Sequence, residues 1–275
     1  MSDIIKAAIL GVIEGLTEFL PVSSTGHMIL AMPLLEIDPD RPPWHAFLYF
    51  IQIGAILAVV VYFARPLLGE LLHRPPGGWP QHLLVKLVVA TLPAAAIGLP
   101  LNDWVERHLE HPAPVAAALV AGAAVMELIE RRYRRPSATA VESVTLRQAL
   151  FVGLAQCVSI IPGTSRAMAT IMGGLMAGLS PAAATQFSFY LAIPTLLGAG
   201  MLKVVKHRHE LNADGAALLL VGFAAAFVVA LLVVRSFLQY VERHRFRPFA
   251  IYRVLLGAAV LAWWWTSGAG PPAAQ

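Results

Sequence analysis

The stretch from Glu14 to His27 gathers ionisable and hydroxyl side chains in a segment that is otherwise apolar. It reads Glu14-Gly-Leu-Thr-Glu18-Phe-Leu-Pro-Val-Ser-Ser-Thr-Gly-His27, with mostly apolar residues before and after it. An ionisable group inside a membrane costs on the order of 2.5–3.5 kcal/mol on insertion scales. Because three such groups surround one proline break, we interpret the stretch as part of a polar site.

The first candidate feature is the carboxylate pair Glu14 and Glu18. Residues four apart share one face of a helix, with Cβ atoms about 6 Å apart, and two carboxylates that close cannot both ionise cheaply in a low dielectric. Either one stays protonated, as an acid/base pair requires, or a divalent cation bridges them. Mg²⁺ and Ca²⁺ prefer such oxygen ligands. The alternative is a charged helix face that only touches an aqueous lumen.

The second feature is a serine pair followed by a histidine. Ser23 and Ser24 follow Pro21 and precede a short apolar helix, which suits them as N-cap residues. His27 lies three residues beyond Ser24 and four beyond Ser23, so its ring could reach either hydroxyl. A serine paired with a histidine can be an activated nucleophile. His27 could instead protonate the leaving group or attack directly, so the pattern leaves the nucleophile open between serine, histidine and water.

The third feature is a second polar break that supplies positive charge. It consists of Pro162, Gly163, Thr164, Ser165 and Arg166. The break leads into an apolar helix, so its backbone N–H groups and hydroxyls lie at a helix N-terminus, which is a ready anion site. Arg166 adds a donor fork suited to phosphate, and Thr170 follows one turn later. Acid, hydroxyl, imidazole, guanidinium and helix N-termini are the parts that phosphoryl transfer needs. The alternative is an Arg166 that only pairs with a buried carboxylate for structure.

The composition places these residues in a membrane protein. Of 275 residues, 58% are hydrophobic and 13% are charged, whereas a soluble domain has about 25% charged residues. The single cysteine, Cys157, excludes an intramolecular disulfide and a thiolate metal cluster. The net charge of +4 comes from basic loops, so we expect no nucleic-acid partner, and we expect no cleaved signal peptide.

The elements that must position the site are helices, and we predict an all-α polytopic fold. A crossing helix needs about 20 apolar residues. Six segments meet this length approximately: Trp44–Phe63, His82–Leu101, Ala113–Ile129, Pro181–Val204, Gly215–Phe237 and Phe249–Trp265. Two further apolar segments, Ile4–Ala31 and Leu146–Leu179, are each broken in the middle by one of the polar breaks. Because irregular backbone at membrane depth needs protein or water around it, both are predicted to be re-entrant hairpins.

The order of these segments predicts an inverted repeat within a single membrane domain, residues 1–275. Residues 1–135 and 146–266 each contain one hairpin, at 4–31 and 146–179, followed by three crossings. Because three is odd, the second half must be inverted, and paired broken segments point to a binding site at the repeat interface. The two breaks are also alike in sequence, since Gly-Val-Ile-Glu14 resembles Gly-Leu-Ala-Gln156.

Loop charges predict the orientation. The more basic side carries Arg65, Arg74, Arg131, Arg132, Arg134, Arg135, Arg147, Arg243, Arg245 and Arg247. The other side carries Arg41, Arg107, Lys203, Lys206 and Arg208, with the acidic Asp38, Asp40, Asp103, Glu106, Glu110, Glu210 and Asp214. Since excess Lys and Arg marks cytoplasmic loops, both termini and the first hairpin are predicted on the outer side, and the second hairpin enters from the cytoplasm.

Both polar breaks resemble the two signature motifs of the undecaprenyl-diphosphate phosphatase family, the bacitracin-resistance type of integral membrane phosphatase. The resemblance implies hydrolysis of the C55 polyprenyl diphosphate to its monophosphate in the bacterial inner membrane, which recycles the lipid carrier for peptidoglycan and related polymers. It implies Glu14 and Glu18 as the acidic pair, Ser24 and His27 as catalytic residues, and Ser165 and Arg166 as diphosphate binders. Ala167-Met168 departs from the family's Ser-Gly after the arginine.

The resulting hypothesis is a phosphatase with Glu14, Glu18, Ser24, His27 and Arg166 as catalytic residues. Glu14 and Glu18 would hold a divalent cation, Mg²⁺ or Ca²⁺. The residues expected to bind the diphosphate are Ser23, Thr25, Gly163, Thr164, Ser165 and Thr170. The expected partners are the lipid substrate and the membrane, with homo-oligomer formation left open. The alternative function is a transporter or lipid-carrier flippase, because inverted repeats with broken helices are typical of secondary transporters.

Overall fold

The computed structural model describes residues 1–39, 42–72, 78–133, 136–206 and 213–266. Within them the chain is all-helical, as predicted, and no strand forms. The helices are α1 (Asp3–Thr17), α2 (Ser24–Leu34), α3 (Trp44–Tyr62), α4 (Ala64–Leu72), α5 (Leu83–Leu109), α6 (Pro112–Arg132), α7 (Leu146–Gln156), α8 (Arg166–Met176), α9 (Pro181–Lys206), α10 (Ala213–Val241) and α11 (Arg247–Thr266). The orientation residues Arg41, Arg74, Arg134, Arg135 and Arg208, with Asp40 and Glu210, lie outside the described residues.

Several helices are long and apolar enough to cross a membrane. In the described part of the chain these are Leu83–Val105, Pro112–Arg132, Gly215–Val241 and Arg247–Thr266. Helices α3 and α4 form a fifth candidate, bent by 71° where they meet. The chain is therefore a multi-pass membrane protein. The predicted segment Pro181–Val204 is also helical, as α9, which is not among these candidates and buries the polar residues Thr185 and Ser188.

Both predicted helix breaks are confirmed. The first break, residues 18–23, separates α1 from α2, and the second break, residues 157–165, separates α7 from α8. The second break begins earlier than predicted, because the chain tightens into a 3₁₀ turn over Cys157–Ile160 directly after α7. Helices α2 and α8 have 11 residues each, so each is about 16 Å long. Neither can cross a bilayer alone, which requires about 30 Å.

Helix packing brings the two breaks into the middle of the molecule. Helix α1 packs along α10 and α7 packs along α5, while α2 contacts α11 and α8 contacts α6. Small residues permit the first two contacts: a Cβ at Gly11 would collide with the Gly222 carbonyl, and one at Gly153 with the backbone of Ala90. Such residues let helix backbones approach closely in membranes, where packing replaces the hydrophobic effect between helices.

Candidate active site

The two breaks meet around a cavity of about 240 Å³. It is lined by Glu18, Ser23, Ser24 and Thr25 from the first hairpin, by Gln156, Ser159, Ile161, Pro162, Gly163, Ser165 and Arg166 from the second, and by Gln52, Ala94, Thr195 and Leu196. Residues of the two broken segments, which the sequence predicts to meet, thus line one cavity. Hydroxyl, amide, carboxylate and guanidinium groups from distant parts of the chain surround one small volume.

Glu18 joins the two hairpins. Its Oε2 accepts a hydrogen bond from the Ser24 hydroxyl at 2.8 Å, and its Oε1 pairs with Nη2 of Arg166 at 3.4 Å. The side chains of Glu18 and Arg166 are only 5% and 9% exposed. Removing one partner of a buried ion pair leaves an uncompensated charge, which destabilises the folded protein by about 3–5 kcal/mol. One carboxylate thus holds a hydroxyl and a guanidinium in fixed relative positions.

Arg166 is oriented from several directions and keeps one donor available. Its Nη1 donates to the carbonyl oxygen of Ser188 at 3.0 Å and lies 3.3 Å from the Ser188 hydroxyl. Its guanidinium carbon lies 5.7 Å from the centre of the Phe19 ring. Its Nε–H has no hydrogen-bond partner among the described residues. Since Arg166 lines the cavity, its structural pairing with Glu18 does not exhaust its capacity to bind an anion.

Thr170 lies behind the cavity, although the sequence predicts that it binds the diphosphate directly. Its hydroxyl is fully buried, donates to the Arg166 carbonyl at 2.8 Å and lies 2.6 Å from the Ser188 hydroxyl. Thr164 is also buried and absent from the cavity lining. In this structure Thr170 supports Ser188, which in turn orients Arg166. Ser188 was missed by the sequence analysis because it sits in a long apolar helix without a motif.

His27 contacts neither serine hydroxyl, contrary to the pairing that its spacing suggests. Its Nδ1 lies 2.7 Å from the carbonyl oxygen of Ser23, and its Nε2 lies 2.7 Å from the Tyr252 hydroxyl, with the two rings stacked. Since a carbonyl only accepts, Nδ1 carries the hydrogen and Nε2 accepts from Tyr252 when the ring is neutral. The group that does contact Ser24 is Glu18. His27 thus fixes the backbone of the serine turn, and Tyr252 is a second site residue that the sequence did not reveal.

The two breaks end in the same strained turn. Ser23 and Ser165 both have φ of 72°, a left-handed conformation that is uncommon for residues other than glycine. Each caps the next helix: the Ser23 hydroxyl accepts from the Gly26 amide, and the Ser165 hydroxyl accepts from the Met168 amide. Such strain costs on the order of 1–3 kcal/mol and tends to occur at functional sites. The N-cap role expected for one serine of the first pair belongs to Ser23, which leaves the Ser24 hydroxyl to Glu18.

A single buried arginine ties the two turns together. Arg253, in the middle of α11, is fully buried and donates to the carbonyl oxygens of Pro21 at 3.2 Å and Gly163 at 3.1 Å. It also donates to two carbonyls of α6, those of Ala118 and Leu119. Arg253 belongs to neither of the two polar motifs. Its signal was an arginine inside the predicted span Phe249–Trp265, where an ionisable residue usually has a role.

Glu14 opens onto a second, larger cavity of about 710 Å³. Glu14 and Glu18 are one helical turn apart in the chain, and both residues are buried. Ser24, Thr25 and Gln52 line both cavities, so the two volumes adjoin. The remaining lining of the larger one is mainly apolar: Met28, Ile29, Met32, Pro33, Pro39, Leu48, Tyr49, Pro112 and Trp263, with Arg107 and Glu110. A small polar cavity that adjoins a larger apolar one suits a ligand with a polar end and a long hydrocarbon chain.

The departure at Ala167-Met168 does not alter the cavity lining. Ala167 is fully buried and Met168 is 4% exposed, and both belong to the hydrophobic core. Met168 packs against Gly122 of α6. A hydroxyl at position 167 would therefore face packed apolar atoms, so its loss removes no group from the cavity.

Taken together, these features define a multi-pass helical membrane protein in which a small cavity lined by hydroxyl, carboxylate and guanidinium groups adjoins a larger, mainly apolar one. Residues 7–259 match the family described as Bacitracin resistance protein BacA, and the chain belongs to that family. A relative from Dechloromonas aromatica is 47% identical over 95% of this chain and 94% of its own length. One from Polaromonas sp. is 45% identical over 96% of each chain. One from Pseudomonas fluorescens is 43% identical over 94% of this chain and 93% of its own length. All three are named undecaprenyl-diphosphatase.

Proposed function

We propose that this protein hydrolyses undecaprenyl diphosphate to undecaprenyl phosphate and inorganic phosphate. The activity recycles the lipid carrier for cell-wall polymers and thereby gives resistance to bacitracin. The relatives' names support the reaction. The structural observation that carries it is the joint contact of Glu18 with Ser24 and Arg166, which unites a hydroxyl, a base and a phosphate-binding cation in one cavity.

In this proposal Ser24 is the nucleophile and Glu18 is its base. The Ser24 hydroxyl already donates to Glu18, so the carboxylate is placed to take the proton as the oxygen attacks the terminal phosphorus. A new O–P bond forms while the bond from that phosphorus to the bridging oxygen breaks, and undecaprenyl phosphate leaves. Water then releases phosphate from the serine. His27 holds the serine turn through the Ser23 carbonyl instead of attacking.

Arg166 binds the phosphoryl group that is transferred. Its Nε–H is unpartnered within the described residues and its Nη atoms are held by Ser188 and Glu18. A fixed, partly satisfied guanidinium stabilises developing negative charge without having to reorganise during the reaction. Hydroxyls of Thr25 and Ser159, which also line the cavity, are further candidate contacts for the diphosphate.

Glu14 and Glu18 would hold a divalent cation, Mg²⁺ or Ca²⁺. The donor set fits a cation that shares phosphate oxygens, since Mg²⁺ is commonly bound through one or two carboxylates plus substrate phosphates. In the described part of the chain no third His, Cys, Asp or Glu completes a cage. Because Glu18 divides its oxygens between Ser24 and Arg166, Glu14 is the more available ligand. The bound cation would supply neutralisation of the developing charge.

We further propose the finer architecture that the sequence predicts: six crossings, two re-entrant hairpins and an inverted repeat of residues 1–135 and 146–266. The packing supports it, because α1 on α10 and α7 on α5 are corresponding contacts in the two halves, as are α2 on α11 and α8 on α6. The same chain distance separates Glu14 from Ser23 and Gln156 from Ser165. Arg253 donates to the carbonyl oxygens of Pro21 and Gly163, which lie at the same distance before Ser23 and Ser165, respectively.

The site is proposed to face the outer side of the bacterial inner membrane. The larger cavity extends to Pro39, Arg107 and Glu110, which belong to loops or helix ends that the charge pattern assigns to that side. The hydrocarbon of the lipid would occupy the apolar part of this cavity, with its diphosphate reaching the smaller one past Ser24 and Gln52.

The proposal is tested by phosphate release from undecaprenyl diphosphate by detergent-purified protein, with Mg²⁺ or Ca²⁺ titrated. Wild-type protein is expected to release phosphate, and Ser24→Ala is expected to lose the activity while retaining its fold. Glu14→Gln should require a higher cation concentration for half-maximal rate. An active Ser24→Ala enzyme would remove serine as the nucleophile, and a wild-type protein that releases no phosphate would contradict the function.

A further inference from the structure

Gln156 lines the smaller cavity and carries a buried amide without a hydrogen-bond partner among the described residues. It is the last residue of α7 and is 2% exposed. Neither its Oε1 nor its Nε2 has a hydrogen-bond partner among the described residues, yet Gln156 lines the cavity together with Ser165 and Arg166. A side-chain amide can donate two hydrogen bonds and accept two, and none of this capacity is used within the described residues.

An unsatisfied buried polar group costs about 1–3 kcal/mol, and such groups in native proteins call for an explanation. Thr185 provides a comparison, because its hydroxyl is also buried and unpartnered in the described part of the chain. Thr185, however, does not line either cavity. Gln156, like Arg166, combines an unpaired buried group with a place in the lining of a cavity that can admit a ligand.

The other groups that line the cavity indicate which kind of ligand the Gln156 amide would bind. The cavity contains one guanidinium, that of Arg166, and several hydroxyls, with Glu18 already engaged by Ser24 and Arg166. An ionised diphosphate only accepts hydrogen bonds, and an amide Nε2 donates them without adding negative charge. We propose that Gln156 is a substrate-contacting residue whose Nε2 donates to the phosphate that Arg166 binds. The inference rests on the proposed phosphatase function.

The counterpart in the first hairpin sharpens the assignment. Glu14 stands at the same distance before Ser23 as Gln156 stands before Ser165, but Glu14 carries a carboxylate and lines the larger cavity. A cation is attracted by the acid and a phosphate by the neutral donor. At these corresponding positions the acid thus suits the proposed cation and the amide suits the phosphate.

The experiment compares Gln156→Leu and Gln156→Glu with the wild-type protein and with Thr185→Val as the matched control. Phosphate release from undecaprenyl diphosphate gives kcat and KM, and thermal unfolding in detergent is recorded with and without inorganic pyrophosphate. Gln156→Leu is expected to lower kcat/KM about 10- to 100-fold, the effect of losing a hydrogen bond to a charged group, without lowering Tm. Gln156→Glu is expected to lower kcat/KM further, because its carboxylate repels the phosphate. Thr185→Val should keep wild-type kcat/KM.

Inorganic pyrophosphate should raise the Tm of the wild-type protein, as a ligand of the folded state does, and this shift should be lost in both Gln156 variants. Wild-type kcat/KM and an undiminished pyrophosphate shift in Gln156→Leu would overturn the assignment. If Gln156→Leu does not fold, Gln156→Glu decides in the same way. A wild-type protein that binds pyrophosphate but releases no phosphate from the lipid contradicts the proposed function alone, and the pyrophosphate shift still decides the role of Gln156. A wild-type protein that neither binds pyrophosphate nor releases phosphate contradicts both the proposed function and the role of Gln156.

Discussion

The two helix breaks share a backbone design and differ in their side chains. Each joins two short helices through a serine with φ of 72° that caps the second helix. After that serine, α2 begins with Ser24 and α8 begins with Arg166. The first hairpin therefore supplies the hydroxyl and the carboxylates, and the second supplies the guanidinium and the amide. The comparison teaches that one turn geometry can present different chemical groups in two parts of a chain.

The largest loss of activity is expected from replacing Glu18, because its carboxylate contacts both Ser24 and Arg166. Glu18→Gln should reduce kcat/KM by about 10⁴-fold or more, because it removes the base that contacts Ser24 and the ion partner of Arg166. Steady-state phosphate release measures the effect, and Glu127→Gln, at an exposed ion pair with Arg131, serves as the control. An effect under tenfold would show that Ser24 does not depend on Glu18.

The second hairpin's contribution is tested at Arg166. Arg166→Ala should reduce kcat by about 10²–10³-fold, the usual consequence of deleting one preorganised donor. Arg166→Lys should recover little of this, since an ammonium cannot satisfy Ser188, Glu18 and phosphate with one planar fork. Near-normal hydrolysis by either variant in purified protein would reduce Arg166 to a structural partner of Glu18.

The link between the breaks is tested at Arg253. Arg253→Met leaves the carbonyls of Pro21 and Gly163 without their donor, so we expect the free energy of unfolding to fall by more than about 2 kcal/mol. Thermal unfolding in detergent measures this. Arg247→Met, which removes an exposed guanidinium at the start of the same helix, should change Tm little. Equal Tm values for the two variants would contradict the role of Arg253.

The smallest effect is expected at Tyr252. Tyr252→Phe removes the hydroxyl that donates to His27 but keeps the stacked ring. Because a neutral hydrogen bond contributes about 1 kcal/mol, kcat/KM should fall only a few-fold, whereas His27→Ala should lose more by freeing the Ser23 carbonyl. A Tyr252→Phe loss as large as that of Ser24→Ala would place this ring pair in the chemistry itself.

Much of the fold was readable from local patterns. Hydropathy located every long helix, because a membrane demands uninterrupted apolar residues, and it located both breaks, because Pro-Val-Ser-Ser-Thr-Gly and Pro-Gly-Thr-Ser interrupt such runs. The ionisable residues were recognisable because burying them in lipid is costly. Within the described residues, four candidate spans, or five with the bent pair of α3 and α4, are long and apolar enough to cross a membrane, and the count of six crossings stays a prediction.

By itself the sequence determined the helices, the breaks and the set of polar residues, since each depends on local composition and the cost of burying charge. Only the tertiary structure decided which of them touch: Glu18 with Ser24 and Arg166, His27 with Tyr252, and Arg253 with both turns. Helical spacing predicts only which residues close in the chain lie near each other, and it suggested that His27 reaches the hydroxyl of Ser23 or Ser24. The packing of α1 on α10 and α7 on α5 brings residues more than a hundred positions apart together, which no local pattern encodes.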